Sequence, residues 1–111
     1  MNIFGLKSTQ KTGAAAEDLA AEFLIRHKLK IIQRNYRCRH GEIDLIANDG
    51  ASLVFVEVRL RSPGNFGGAA ASITPAKQQK ILAAARHYLS GQSGIPPCRF
   101  DVLLLDGLSA D

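Results

Sequence analysis

The chain is short of most features that would assign it to a well-marked class. No apolar run approaches the roughly 20 residues needed to cross a bilayer, and the N-terminal MNIFGLKSTQK lacks a long apolar segment followed by a small-residue cleavage site. A membrane partner is therefore not expected, and the cytoplasm is the expected compartment. Only two cysteines occur, Cys38 and Cys98. They form no CxxC, which excludes a disulfide framework and leaves reduced thiols as the expectation. No Walker sequence, GxSxG elbow or glycine-rich dinucleotide turn is present, so NTPase, serine-hydrolase and Rossmann readings lack support. Basic helices with an aromatic face, the usual membrane-surface device, are also missing. Cys38, His40 and His27 do not have the paired spacing of a zinc site, and a fourth ligand is wanting.

What is present is an ordinary globular composition, 46% hydrophobic and 22% charged over 111 residues, enough for a single domain over residues 1–111 with one core. A formal net charge of +4 favours an acidic partner, with nucleic acid ahead of membrane.

The densest chemistry lies in Gly41–Arg61, GEIDLIANDGASLVFVEVRLR. Glu42, Asp44 and Ile46 share one parity of a strand, Ile43, Leu45 and Ala47 the other. In the next run Phe55, Glu57, Arg59 and Arg61 share a parity opposite an aliphatic face of Val54, Val56, Val58 and Leu60. Asn48-Asp49-Gly50 marks the turn between them. A loop of Asp49–Ser52 sets Asp44 opposite Glu57; a tighter Asp49-Gly50 loop sets it opposite Phe55, diagonal to Glu57. Either register puts both carboxylates on one face.

Around this stretch the chain reads as α, β, β, β, α, β. Residues 1–11 are expected as a loose tail. Thr12 is a candidate cap for a helix over residues 13–27, in which Glu17 and Asp18 complement the helix dipole. Lys30–Arg37 reads as a strand with Ile32 inward, and Arg34, Arg37 and Arg39 fall close together. Residues 62–73, rich in glycine and alanine, are expected as a mobile loop. Thr74 caps a second helix with Pro75 at its start, Gly91 at its end, and Ile81, Leu82, Ala85, Tyr88 and Leu89 as its buried stripe. Lys77 and Lys80 share a side of it; Lys80 is assigned to solvent and Lys77 left open. Cys98–Leu105 is a strand buried on both faces in which Asp101 must find partners, and residues 106–111 form a second loose tail. This order gives an α/β fold with an αβββαβ core, an antiparallel meander of three strands joined by a helical crossover to a fourth that lies parallel to one of them.

Two carboxylates on one sheet face repel, so one binds a proton unless a cation neutralises them. Mg²⁺ or Mn²⁺ suits such oxygen ligands and would leave bound water to attack a phosphodiester. The competing arrangement is a salt-bridge network with Arg59, Arg61 or a neighbouring arginine.

The succession GEIDLI, LVFVEVR, the FGGAA loop, a lysine-bearing helix and RFDV resembles the YraN family of small bacterial proteins, placed in the PD-(D/E)XK nuclease superfamily near its Holliday-junction-resolvase-like branch. The resemblance runs from about Gly13 to Val102 and implies a restriction-endonuclease-like αβββαβ core, a mixed sheet flanked by helices. It also implies a metal-dependent DNA endonuclease or a nuclease-like DNA-binding protein, acting on branched or otherwise structured DNA. Carried over residue by residue, Asp44 resembles the metal-binding Asp and Glu57 the Glu of the (D/E)XK element. The Val58 carbonyl and Glu17 resemble further contributors to a Mg²⁺ or Mn²⁺ site. Arg59 stands where the pattern has lysine. With a pKa above about 12, Arg59 can hold a phosphate but cannot take a proton from water, so Lys77 is the candidate for the missing amine. Arg37, Arg39, Arg61 and Lys77 are the cations expected to meet DNA, and junction cutting implies a two-fold homodimer. Two readings of other classes stand beside this one, a non-catalytic nucleic-acid-binding module and a protein-interaction subunit.

Overall fold

The computed structural model describes residues 2–8, 13–61 and 73–107, with side chains described over 16–59 and 73–105. In chain order the elements are β1 (Asn2–Ser8), α1 (Gly13–Arg26), β2 (Lys30–Cys38), β3 (Gly41–Asn48), β4 (Leu53–Arg61), α2 (Pro75–Ser90) and β5 (Cys98–Gly107). They build a five-stranded sheet in the order β1-β5-β4-β3-β2. Strands β2, β3 and β4 are the expected antiparallel meander, and β5 joins parallel to β4. The αβββαβ order and the mixed sheet agree with the pattern in the sequence.

One strand was not anticipated. Asn2–Ser8 lies parallel to β5, from Asn2 opposite Asp101 to Ser8 opposite Gly107, where a loose tail was expected. The physical reason lies in β5: Val102, Leu103, Leu104 and Leu105 are all buried, so it is a central strand. Its second edge would otherwise carry unpaired backbone groups beside apolar side chains. Asp106 and Gly107 likewise belong to β5 rather than to the second tail. The loop expected at 62–73 lies outside the described residues except for Ile73, which packs with Val102 and Leu104.

The helices cover opposite faces. Three small residues of α1, Ala16, Ala20 and Ala21, let the helix approach closely, and with Leu24 they bury Leu45, Ala47, Val54, Val56, Leu103 and Leu105. On the other face α2 presses Ala84 and Ala85 onto Ile43, Ile46, Leu53 and Phe55. Thr74 accepts from the Lys77 N–H at 3.2 Å, and Gly91 ends the helix, as the capping pattern predicts. Of the expected stripe, Ile81 and Ala85 are buried, Tyr88 and Leu89 are partly so, and Ala84 was missed because alanine gives little hydrophobic contrast.

Two departures from strict strand alternation matter. The pairing of β2 with β3 shifts between Ile31 and Gln33, a bulge that turns Ile32 out to 43% exposure and gives Ile31 the inward place. This corrects the expectation of Ile32 inward. In β3, Ile43 and Ile46 both pack under α2, while Leu45 and Ala47 pack under α1. The alternation thus breaks beside Asp44, opposite Asn35, which has φ 53°.

The turn is the four-residue one. Asp49 Oδ1 accepts from Ala51 N and Ser52 N, Asn48 Oδ1 accepts from Gly50 N, and Asn48 pairs with Leu53. Buried Asp101 finds its partner in Arg99, whose guanidinium also reaches Asp49 at 2.9 Å. That bridge ties the β3–β4 turn to β5. Cys38 and Cys98 are unbridged, and among the described residues no helix is long and apolar enough to cross a membrane.

Candidate functional site

The ladder between β3 and β4 runs from Asn48 opposite Leu53 to Leu45 opposite Val56. At the next step the backbone pairing stops and a side chain takes over: Asp44 Oδ2 accepts the Val58 N–H at 2.8 Å. The register set by the Asp49–Ser52 loop, extended one step, brings Asp44 to Glu57, and their carboxyls hydrogen-bond to each other. Local strand divergence therefore creates the site, and Asp44 satisfies the backbone group that the divergence would orphan.

Between the parted strands and the two helices lies a hollow of about 490 Å³. Glu17 enters it from α1, Gly41, Glu42 and Asp44 from β3, Glu57, Val58 and Arg59 from β4, and Lys77, Lys80 and Ile81 from α2. Four of the residues singled out for catalysis or metal binding, Asp44, Glu57, Val58 and Arg59, are thus adjacent, and Glu17 and Lys77 border the same space. Glu17 lies beyond the first turn of α1, where the helix dipole is weak; its place is better explained by the hollow. The Arg37 guanidinium pairs with Glu42 at 3.2 Å on the exposed rim. Arg39 is exposed in the β2–β3 turn, and the side chain of Arg61 lies outside the described residues. Lys80, expected in solvent, is exposed yet borders the hollow, and its spacing from Lys77 was the available clue.

Electrostatics follow from burial. Glu57 is 7% exposed; desolvation first and the charge of Asp44 second push its pKa up to about 7, against the opposing pull of Arg59. Burial also raises Asp44, offset by the Val58 N–H and by Arg59. Glu17 is raised too, by burial and then by Asp44, with Arg34 acting the other way. Burial and mutual repulsion thus both oppose full ionisation of the pair. Arg59 answers the remaining charge through Nη2, 2.8 Å from Glu57 Oε2.

Among the described residues, two buried polar atoms of the hollow have no partner: Glu17 Oε1, an acceptor, and Arg59 Nε, a donor. Such groups cost about 1–3 kcal/mol each when left unmade. A cation would answer the first and an anion the second. The donor set of carboxylates with a nearby strand carbonyl is hard and oxygen-only, which fits Mg²⁺ or Mn²⁺. Among the described residues no three His, Cys, Asp or Glu side chains form a metal-ligating group, so Asp44 and Glu57 are a pair, with Glu17 standing beside them.

The chain is a small mixed α/β protein in which a buried Glu57 faces a half-buried Asp44 where two interior strands part. The sequence profile of the Uncharacterised protein family UPF0102 matches residues 16–105, a span that includes Glu17, Asp44, Glu57, Arg59 and Lys77. A UPF0102 protein of Nitrosomonas europaea is 54% identical over 102 residues, covering 92% of this chain and 86% of its own. Another, from Cupriavidus necator, is 58% identical over 103 residues, covering 91% and 78%, and one from Methylobacillus flagellatus is 54% identical over 102 residues, covering 92% and 89%. The chain belongs to the UPF0102 family, consistent with its resemblance to the YraN proteins.

Proposed function

We propose that this protein is a metal-dependent endonuclease of DNA, acting on branched or otherwise structured substrates, with the Asp44–Glu57 pair as its cation site. The observation that carries this reading is the pairing of needs within one hollow. Buried Glu57 and half-buried Asp44, both pushed toward the protonated form, sit beside an unpartnered acceptor on Glu17 and an unpartnered donor on Arg59. A divalent cation with a phosphate beside it would satisfy both sides at once.

In this reading Asp44 and Glu57 hold Mg²⁺ or Mn²⁺, with the Val58 carbonyl and Glu17 contributing directly or through water. The ion, when bound, polarises the phosphodiester and activates a water. The chain's own residues do the rest. Glu57 would hold the ion in its ionised form, Arg59 would offer its free Nε to a phosphate oxygen, and Lys77 and Lys80 would bring positive charge from α2 to the DNA backbone. Arg59 cannot serve as the base, so Lys77 is the amine available on the hollow's rim.

A specific observation favours a second reading. Arg59 already neutralises Glu57 at 2.8 Å, occupying with a guanidinium the charge that a metal would answer. A protein that keeps this pair would bind DNA without cutting it. Incubation with single-stranded, duplex and four-way-junction DNA, in Mg²⁺, Mn²⁺ or chelator and beside Glu57→Ala, separates the two. The endonuclease cuts only with metal and stops cutting in the variant; cleavage that survives Glu57→Ala removes the proposed site, and metal-independent binding without cleavage supports the binding module.

A further inference from the structure

Lys77, Lys80 and His87 recur at intervals of three and seven residues along α2, which puts them on one flank of the helix. Ala84, on the same flank, is seated against the cluster that holds Ile43 and Phe55, so the flank looks toward β3. The two come close at Gly41: with φ 153°, this residue lies so near α2 that a Cβ would stand 3.0 Å from the Lys80 carbonyl oxygen. Packing there carries the preceding residue, His40, next to the helix. The rings of His40 and His87 have centroids 6.0 Å apart and planes inclined at 56°.

Neither histidine takes part in the acidic hollow, yet the second is held in place. The Tyr36 hydroxyl and His87 Nδ1 share a hydrogen bond, and Tyr36 is in turn braced edge-on against Tyr88 at 5.2 Å. Both imidazoles are exposed, as is Arg39 beside His40. Among the described residues Arg39, Lys77 and Lys80 make no ion pair, whereas Arg34, Arg37 and Arg99 are each committed to an acid. Unspent positive charge thus runs from the hollow to a pair of pre-set aromatic rings.

We propose that His40 and His87 form a stacking seat for an unpaired nucleobase, at the end of a phosphate track made by Lys77 and Lys80. The proposal rests on the reading of the hollow as a DNA site and names the form of DNA that it takes. Base pairs inside a duplex hide their faces against their neighbours, so rings exposed on the protein surface do not meet those faces. An unpaired base offers its face freely, and stacking on aromatic side chains is tolerant of sequence. Lys80 and His87 are about 10 Å apart along the helix axis, the length of about three stacked nucleotides. The seat therefore receives a base a few nucleotides from a phosphate at the acidic pair, as an unpaired strand leaving a branch provides.

A short single-stranded oligonucleotide carrying 2-aminopurine, titrated with the full chain at low salt in chelator, tests this, because 2-aminopurine loses fluorescence when it stacks. The wild type should quench the probe. His40→Ala/His87→Ala should bind it about tenfold more weakly without quenching, and His40→Ala/His87→Phe, which keeps one ring, should restore quenching. Arg26→Ala, an exposed cation paired with Glu22 on α1, should behave as wild type. Quenching and affinity that persist in the double alanine variant overturn the seat alone. No binding of single-stranded or duplex DNA by the wild type at low salt overturns the seat together with the proposed function.

Discussion

Arg59 carries the tension in this site. Its Nη2 neutralises Glu57 while its Nε has no partner, so one guanidinium both blocks and invites ligands. An arginine cannot lose its proton near neutrality, whereas a lysine held beside cations can. Arg59→Lys should accordingly raise the rate of Mg²⁺-dependent cleavage by about a hundredfold, the usual contribution of a positioned base. Single-turnover rates across pH check this, and an unchanged rate would show that the base lies elsewhere. Glu57 makes its own prediction. Its pKa rises from an ordinary 4.5 to about 7 on folding, so between those values the unfolded chain has released a proton that the folded chain keeps. The stability this provides is fully present below about 4.5 and is lost as pH rises through about 7, with a span on the order of 3 kcal/mol in the metal-free protein. Denaturant titrations over this window should show stability falling with pH in the wild type, and Glu57→Gln should flatten that slope.

Among the elements, α2 and the start of β3 set the geometry of the hollow together. Gly41 permits their contact, since any side chain would meet the Lys80 carbonyl while adopting a φ that L-residues avoid. Gly41→Ala should cost about 1–3 kcal/mol in strain, measurable as a lower midpoint in urea, and should weaken DNA binding by displacing Lys80. The sequence made some of these elements legible and not others. Thr74-Pro75 and Gly91 mark α2 through local capping chemistry, and Asn48-Asp49-Gly50 marks the turn whose side-chain bonds choose the four-residue loop. The departure at Asp44 carries no such mark. Parity alone keeps the acid on a regular face, whereas the structure breaks alternation between Ile43 and Leu45 and uses the Asp44 carboxylate in place of a strand bond. Ile32 fails for a related reason: Ile31 and Ile32 are identical neighbours, so nothing in the residues says which of them the bulge turns outward.

For the whole molecule, periodicity sufficed to give the αβββαβ order because each of those elements has a face of its own to bury. Strand β1 has no hairpin partner in sequence; it joins β5 across most of the chain, and such non-local parallel pairing leaves little local trace. The carboxylate pair was anticipated as a shared face, while the orphaned atoms of Glu17 and Arg59 and the approach of His40 to His87 depend on tertiary packing. The central claim is that Asp44 and Glu57 together hold a divalent cation. Titration of the full chain with Mn²⁺ at pH 8, above the range where Glu57 keeps its proton, with free ion followed by electron paramagnetic resonance, measures this directly. One bound ion per chain, lost in both Asp44→Ala and Glu57→Ala, is the result predicted; equal Mn²⁺ uptake by the wild type and both variants would contradict it.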